Sequence, residues 1–90
     1  MLEGQGLRVG GIVISKSGRD KNRQFVVVGM DGSYLYLADG ALRKLSKPKK
    51  KKFMHVQITQ SISLEIAGKL AAGSLKDEDL RKVLVALRKE

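Results

Sequence analysis

Two Asp-Gly dipeptides, Asp31-Gly32 and Asp39-Gly40, punctuate the stretch QFVVVGMDGSYLYLADG at residues 24–40. Glycine reaches positive φ without steric cost, and Asp-Gly is a strong signal for a tight hairpin turn. The runs on either side have strand character. QFVVVGM, residues 24–30, is nearly continuous in β-branched and aromatic residues, and SYLYLAD places Leu35 and Leu37 on one face and Tyr34 and Tyr36 on the other. A chain that reverses twice at such short intervals lays its strands side by side. The expectation is a meander of strands two, three and four, with ALRKLS, residues 41–46, as the short fourth strand.

The flanking segments complete a β domain. VGGIVISKSG sets Ile12 and Ile14 against Val13 and Ser15, and FMHVQIT sets Met54, Val56 and Ile58 against Phe53, His55 and Gln57. Gly10-Gly11 and Gly29 fall within strand patterns and predict bulges or bends. Five short, strongly bent strands predict a small, partly open barrel. At 90 residues the chain is one domain with room for one modest core.

The period then changes. SISLEIAGKLAAG places Ile62, Ile66 and Leu70 four residues apart, with Gly73 as a C-terminal cap. Val56, Ile58, Ile62, Leu64 and Ile66 also fit an alternating strand, so the helix start is ambiguous. In KDEDLRKVLVALRKE, Leu80, Val83, Leu84 and Leu87 share a face. Asp77, Glu78 and Asp79 open this helix and Arg88 and Lys89 close it, which complements the helix dipole. Ser74 or Lys76 is the expected cap. The fold class is therefore mostly β with C-terminal α. Residues 1–7 form a flexible lead, 8–59 a barrel of about five strands, and 60–90 a helical extension of two short helices packed on it. Val85 lies off the main apolar stripe of the second helix and leaves a partner contact open.

Charge narrows the function. Eighteen Lys and Arg oppose nine Asp and Glu, and residues 1–60 carry a net of +8. Such a field predicts a polyanionic partner: nucleic acid, an acidic membrane surface or an acidic protein. SKSGRDKNRQ carries Lys16, Arg19, Lys21 and Arg23 against Asp20 alone. A hairpin loop of this kind can present several cations to a phosphate backbone, although a solvated loop is also charged as a matter of course. RKLSKPKKKK adds Arg43, Lys44, Lys47, Lys49, Lys50, Lys51 and Lys52 around the sole proline, Pro48. Neighbouring lysines about 6 Å apart in water repel by roughly 0.7 kcal/mol per pair. An external anion makes that arrangement favourable. The run is internal, with both ends held by strands, which argues for a surface patch over a flexible linker or a nuclear-import address. Tyr34, Tyr36 and His55, opposite the aliphatic face, are candidates for base stacking, with plain sheet-surface residues as the alternative.

Other chemistry finds little purchase. The chain has no cysteine and one histidine, so neither a disulfide nor a metal site is expected. The residues suggest no catalytic triad or carboxylate pair, and the expectation is a non-enzyme without cofactor. EGQGLRVGG is not followed by a helix and is no phosphate-binding fingerprint. No apolar run approaches the ~20 residues needed to span a bilayer, and MLEGQGLRVGG has no h-region of a secretory signal. A cytoplasmic monomer is expected.

The segment from Val9 to Val56 resembles a KOW domain of the small bacterial KOW-domain RNA-binding proteins, themselves similar to archaeal and eukaryotic large-subunit ribosomal proteins of the fourteen-e group. The shared pieces, in order, are the S-K-x-G-R-D-K loop, the F-V-V-V strand, and A-D-G-x-L-R-K followed by K-P-K-K-K-K. They cover about residues 8–58. The resemblance implies an SH3-like barrel that binds RNA, commonly ribosomal RNA, through Lys16, Arg19, Lys21 and Arg23, with Arg43 and Lys44 beside them. Ribosomal proteins are then conceivable neighbours. The pattern usually has glycine where this chain has Asn22, a residue that tolerates a left-handed backbone. The rival readings are a protein-interaction adapter built on the same barrel and a small basic DNA-binding barrel.

Overall fold

The computed structural model describes residues 8–88. Five strands precede two helices: β1 (Gly11–Ser15), β2 (Gln24–Asp31), β3 (Tyr34–Ala38), β4 (Lys49–Lys52), β5 (Val56–Ile62), α1 (Leu64–Ala72) and α2 (Asp77–Arg88). All strand pairs are antiparallel, in the order β4-β3-β2-β1-β5, and β4 and β5 form the two edges of an open sheet. The fold is mostly β with C-terminal α. The expected lead, residues 1–7, lies outside the described residues, as do Lys89 and Glu90.

The turn chemistry works as the sequence suggests at Asp31-Gly32, but Asp39-Gly40 is no tight hairpin: it opens the long connection 39–48 between β3 and β4. Gly32 joins β2 to β3 at φ 60°. The ladder shifts register between Val27 and Gly29 and again between Gly11 and Val13, so the glycines in those strands do mark irregularities. A side chain at Gly29 would press on the Tyr36 ring. Asn22 takes φ 74°, the left-handed conformation anticipated for it.

The fourth strand is elsewhere than expected. ALRKLS forms turns, and the strand that completes the meander is the lysine run itself, Lys49–Lys52. Phe53–His55 is a 3-10 turn and not the start of the last strand, which begins at Val56. That strand extends to Ile62, so the ambiguous stretch divides into strand up to Ile62 and helix from Leu64. Ser63 caps α1 by accepting a hydrogen bond from the Ile66 amide at 3.1 Å, and Gly73 closes it at φ 74°. At α2, the residue before the helix is Lys76, whose amide donates to Asp79 Oδ2 at 3.0 Å, while Ser74 lies against the end of α1.

The buried residues form two clusters rather than the single core expected. Val13, Phe25, Val27, Leu35, Leu37 and Val56 occupy one face of the sheet, with Phe53 and Ile58 against them. No helix contributes to this cluster, so the sheet buries that face by curling on itself. Ile12, Val26 and Ala38 occupy the other face, where Ile66 of α1 and Leu80 and Leu84 of α2 cover them. This explains why β2 is apolar almost without interruption: it is covered on both sides. Each fully buried aliphatic or aromatic side chain contributes about 1.5–3 kcal/mol.

Candidate nucleic-acid interface

The antiparallel topology brings the basic segments to one end of the sheet. The C-terminal ends of β1 and β3 and the N-terminal ends of β2 and β4 lie together. The connections there are residues 16–23 and 39–48, which carry Lys16, Arg19, Lys21, Arg23, Arg43, Lys44 and Lys47. Lys16 holds to the 3-10 turn, donating its amide to the His55 carbonyl at 2.9 Å. The Lys47 amide donates to the Lys44 carbonyl at 2.9 Å, a turn that delivers the chain into β4.

Strand geometry divides the four lysines of β4. Successive side chains of a strand point to opposite faces. Lys49 and Lys51 pair in register with Leu37 and Leu35, on the self-buried face, while Lys50 and Lys52 pair with Tyr36 and Tyr34. Lys51 is buried at 8% exposure. Its Nζ lies 3.1 Å from Asp20 Oδ1 and donates to the Ser17 carbonyl at 2.9 Å. Lys49 Nζ lies 2.9 Å from Asp20 Oδ2. Ser15 Oγ adds a hydrogen bond to Asp20 Oδ1 at 2.7 Å. Burial alone would raise the Asp20 carboxyl. The contacts from Ser15, Lys49 and Lys51 outweigh it and hold the group well below the usual carboxylate range. Lys49 and Lys51, grouped by sequence reasoning with the free cations, are therefore ion-paired staples that fasten the β1–β2 loop to β4.

Lys50 and Lys52 have no carboxylate partner among the described residues. Both are exposed. Lys50 Nζ sits 4.5 Å from the centre of the Tyr34 ring and Lys52 Nζ 5.9 Å from it, the geometry of a cation–π contact. Tyr34 thus already carries a lysine on its face, and a base stacking there must displace it. Tyr36 is half-buried and lines an apolar cleft with Val28, Leu45 and Pro48. Of the three stacking candidates only His55 is exposed.

A second carboxylate fixes the other connection. Asp39 Oδ1 accepts from the amides of Ala41 and Arg43, both at 2.9 Å, and Oδ2 meets Arg23 Nη2 at 3.3 Å. Here too burial would raise the carboxyl, and the amides of Arg43 and Ala41 with the Arg23 guanidinium bring it below its ordinary value. Helix α2 holds the same loop from behind. Asp77 Oδ1 accepts from the Leu45 amide at 2.8 Å, and Arg81 Nη1 donates to the Gly40 carbonyl. Gly40 adopts φ 79°, and a β-carbon there would collide with the Asp77 carbonyl, so the place has no room for a side chain.

Sequence reasoning passed over Asp20, Asp39 and Arg81. The signal for the first was present: a lone acid within a loop of four cations, following a serine that ends a strand, is placed to be shared. Both acids are consumed internally. Lys16, Arg19, Lys21, Lys44, Lys47, Lys50 and Lys52 are exposed and are not neutralised by any carboxylate among the described residues. Among those residues there is no cluster that could hold a metal ion, and no helix is long and apolar enough to cross a membrane. No protein-family model matches the chain, and no curated protein matches it.

Proposed function

We propose that this protein binds RNA, chiefly through phosphate contacts made by the exposed lysines and arginines at one end of the sheet and along its β4 edge. One observation carries the reading most directly. The carboxylates that could neutralise this basic region, Asp20 and Asp39, are spent on positioning its loops, and the outward lysines are left without a carboxylate partner among the described residues. A protein that only needed solubility would have no use for loops held this firmly. Fixed cations lose less entropy on meeting a polyanion than flexible ones do. The resemblance of residues 8–58 to KOW-domain RNA-binding proteins favours RNA over DNA and a ribosomal RNA, in the translation apparatus, as the target. Phosphate contacts position the strand and carry little base readout.

The test is filter binding of structured RNA over a range of salt concentrations, with duplex DNA as competitor. About six engaged cations give a log–log slope of about −4 to −5. A slope near zero, or equal displacement by duplex DNA, contradicts the proposal.

A further inference from the structure

The cavity where the end of the sheet meets α2 is lined by residues of both the sheet end and the helix and has a volume of about 440 Å³. That volume is within the range of small-ligand sites, about 300–1,000 Å³. Arg23, Asp39 and Arg81 stand in its wall beside the apolar Ile14, Leu84 and Val85. The two arginines are anchored on consecutive residues: Arg23 on the Asp39 carboxylate, Arg81 on the Gly40 carbonyl. A guanidinium has several donors in a fixed planar fork, so one acceptor apiece leaves most of them free. Both arginines are partly open to solvent, Arg23 with 43% of its side chain exposed. Asp39 does not compete for the cavity, because its oxygens are engaged by the Ala41 and Arg43 amides and by Arg23 itself. Two cations against one carboxylate leave the wall positive.

Val85 supplies a second, independent mark. It is 39% exposed, one of few large apolar residues left open, and it borders the cavity on the α2 side. Two guanidinium groups in the wall of one cavity, beside open aliphatic surface, suit a ligand with an anionic group joined to a flat, weakly polar body. We infer that Arg23 and Arg81 hold the phosphate of a single nucleotide unit, with its nucleoside over Val85, and that this unit belongs to the bound RNA strand. The inference rests on the RNA-binding reading and extends it, since it makes α2 part of the interface. The cations already named at the sheet end lead to the cavity through Arg23, whose loop also carries Lys21.

The experiment compares the full chain with Arg81→Gln, Val85→Glu and Lys82→Gln in RNA filter binding over salt, with an NMR titration of adenosine monophosphate alongside. Arg81→Gln is expected to weaken RNA binding about 3–10-fold at low salt and to flatten the slope by about 1. Val85→Glu leaves both arginines in place and is expected to weaken binding as well, which covers the case in which Arg81→Gln loosens α2. Lys82, on the same helix and paired with Glu78, is the control and should change nothing. Amide shifts at Ala41 and Val85 with the mononucleotide, together with an unchanged RNA slope in Arg81→Gln, would overturn the assignment to the strand and give the cavity to a free nucleotide. Wild-type binding by both Arg81→Gln and Val85→Glu, with no shift at those amides, overturns the site altogether. Loss of slope in Lys50→Gln/Lys52→Gln would then show that the RNA-binding reading stands without it.

Discussion

Lys49 and Lys51 share a strand of four residues with Lys50 and Lys52, yet the two pairs do different work. One pair lies on the face that buries Leu35 and Leu37, and its ammonium groups close on Asp20. The other pair faces outward beside Tyr34. Composition cannot tell these lysines apart; a period of two can. The lesson is that a charge run placed in a strand is two half-runs, one that holds the fold together and one that is free to meet a partner. The split also relieves the run's own repulsion, since alternate charges leave on opposite faces and one set is neutralised. As β4 is an edge strand, its lysines further discourage pairing with other chains.

The largest effect should come from removing the shared carboxylate. Asp20→Ala strands two lysines at a largely buried position and is expected to cost about 3–5 kcal/mol, read as a lowered urea midpoint. Because the folded carboxyl lies below its unfolded value, its contribution is fully present above about pH 3.9 and fades as pH falls toward the depressed folded value. The stability gap between the wild-type chain and Asp20→Ala should accordingly be flat near neutrality and narrow in acid. A gap that widened on acidification would break the comparison at its root.

Gly40→Ala comes next. It adds a side chain where the backbone is left-handed and the Asp77 carbonyl is in contact, with an expected cost of about 2–4 kcal/mol. This separates α2 from the loop carrying Arg43, Lys44 and Lys47. Amide exchange should rise at residues 41–47 before it rises in β1 and β2.

The triple change Lys16→Gln/Arg19→Gln/Lys21→Gln sharpens the outward side. Stability should hold within about 0.5 kcal/mol, as for exposed positions generally, while the RNA salt slope flattens by about 2–3. Asn22→Ala is the mildest. It keeps every charge and strains one residue at φ 74°, at a cost of about 1 kcal/mol in thermal unfolding. Asn22→Gly should be neutral or slightly stabilising.

The parts of the fold that follow from local chemistry were readable in the sequence. Asp31-Gly32, the bulge-forming glycines, the Gly73 cap of α1 and the Leu80, Val83, Leu84, Leu87 stripe each act within a few residues, and each stands close to where its pattern puts it, whereas the pattern leaves the start of α1 at Ser63 open between helix and strand. β4 was hidden because lysine is a poor strand former and the run shows no apolar alternation, so the sequence points to the preceding ALRKLS for the fourth strand. What makes Lys49–Lys52 a strand is pairing with β3 and an ion pair to Asp20, a contact spanning 31 residues between Lys51 and Asp20. No window of sequence contains that. The same holds for the site. The cations were visible as a set, but which of them are free depends on two carboxylates whose partners lie far along the chain or in the backbone. Arg81 was hidden behind its membership of an amphipathic helix.

The most direct test sets two double variants side by side, Lys50→Gln/Lys52→Gln and Lys49→Gln/Lys51→Gln, each measured for RNA salt slope and for melting temperature. The outward pair should flatten the slope by about 1.4–1.8 with an unchanged melting temperature. The inward pair should lower the melting temperature and leave the slope of the still-folded protein as it was. Equal loss of slope from both pairs, or melting that is indifferent to the inward pair, would contradict the division of β4 on which the account rests.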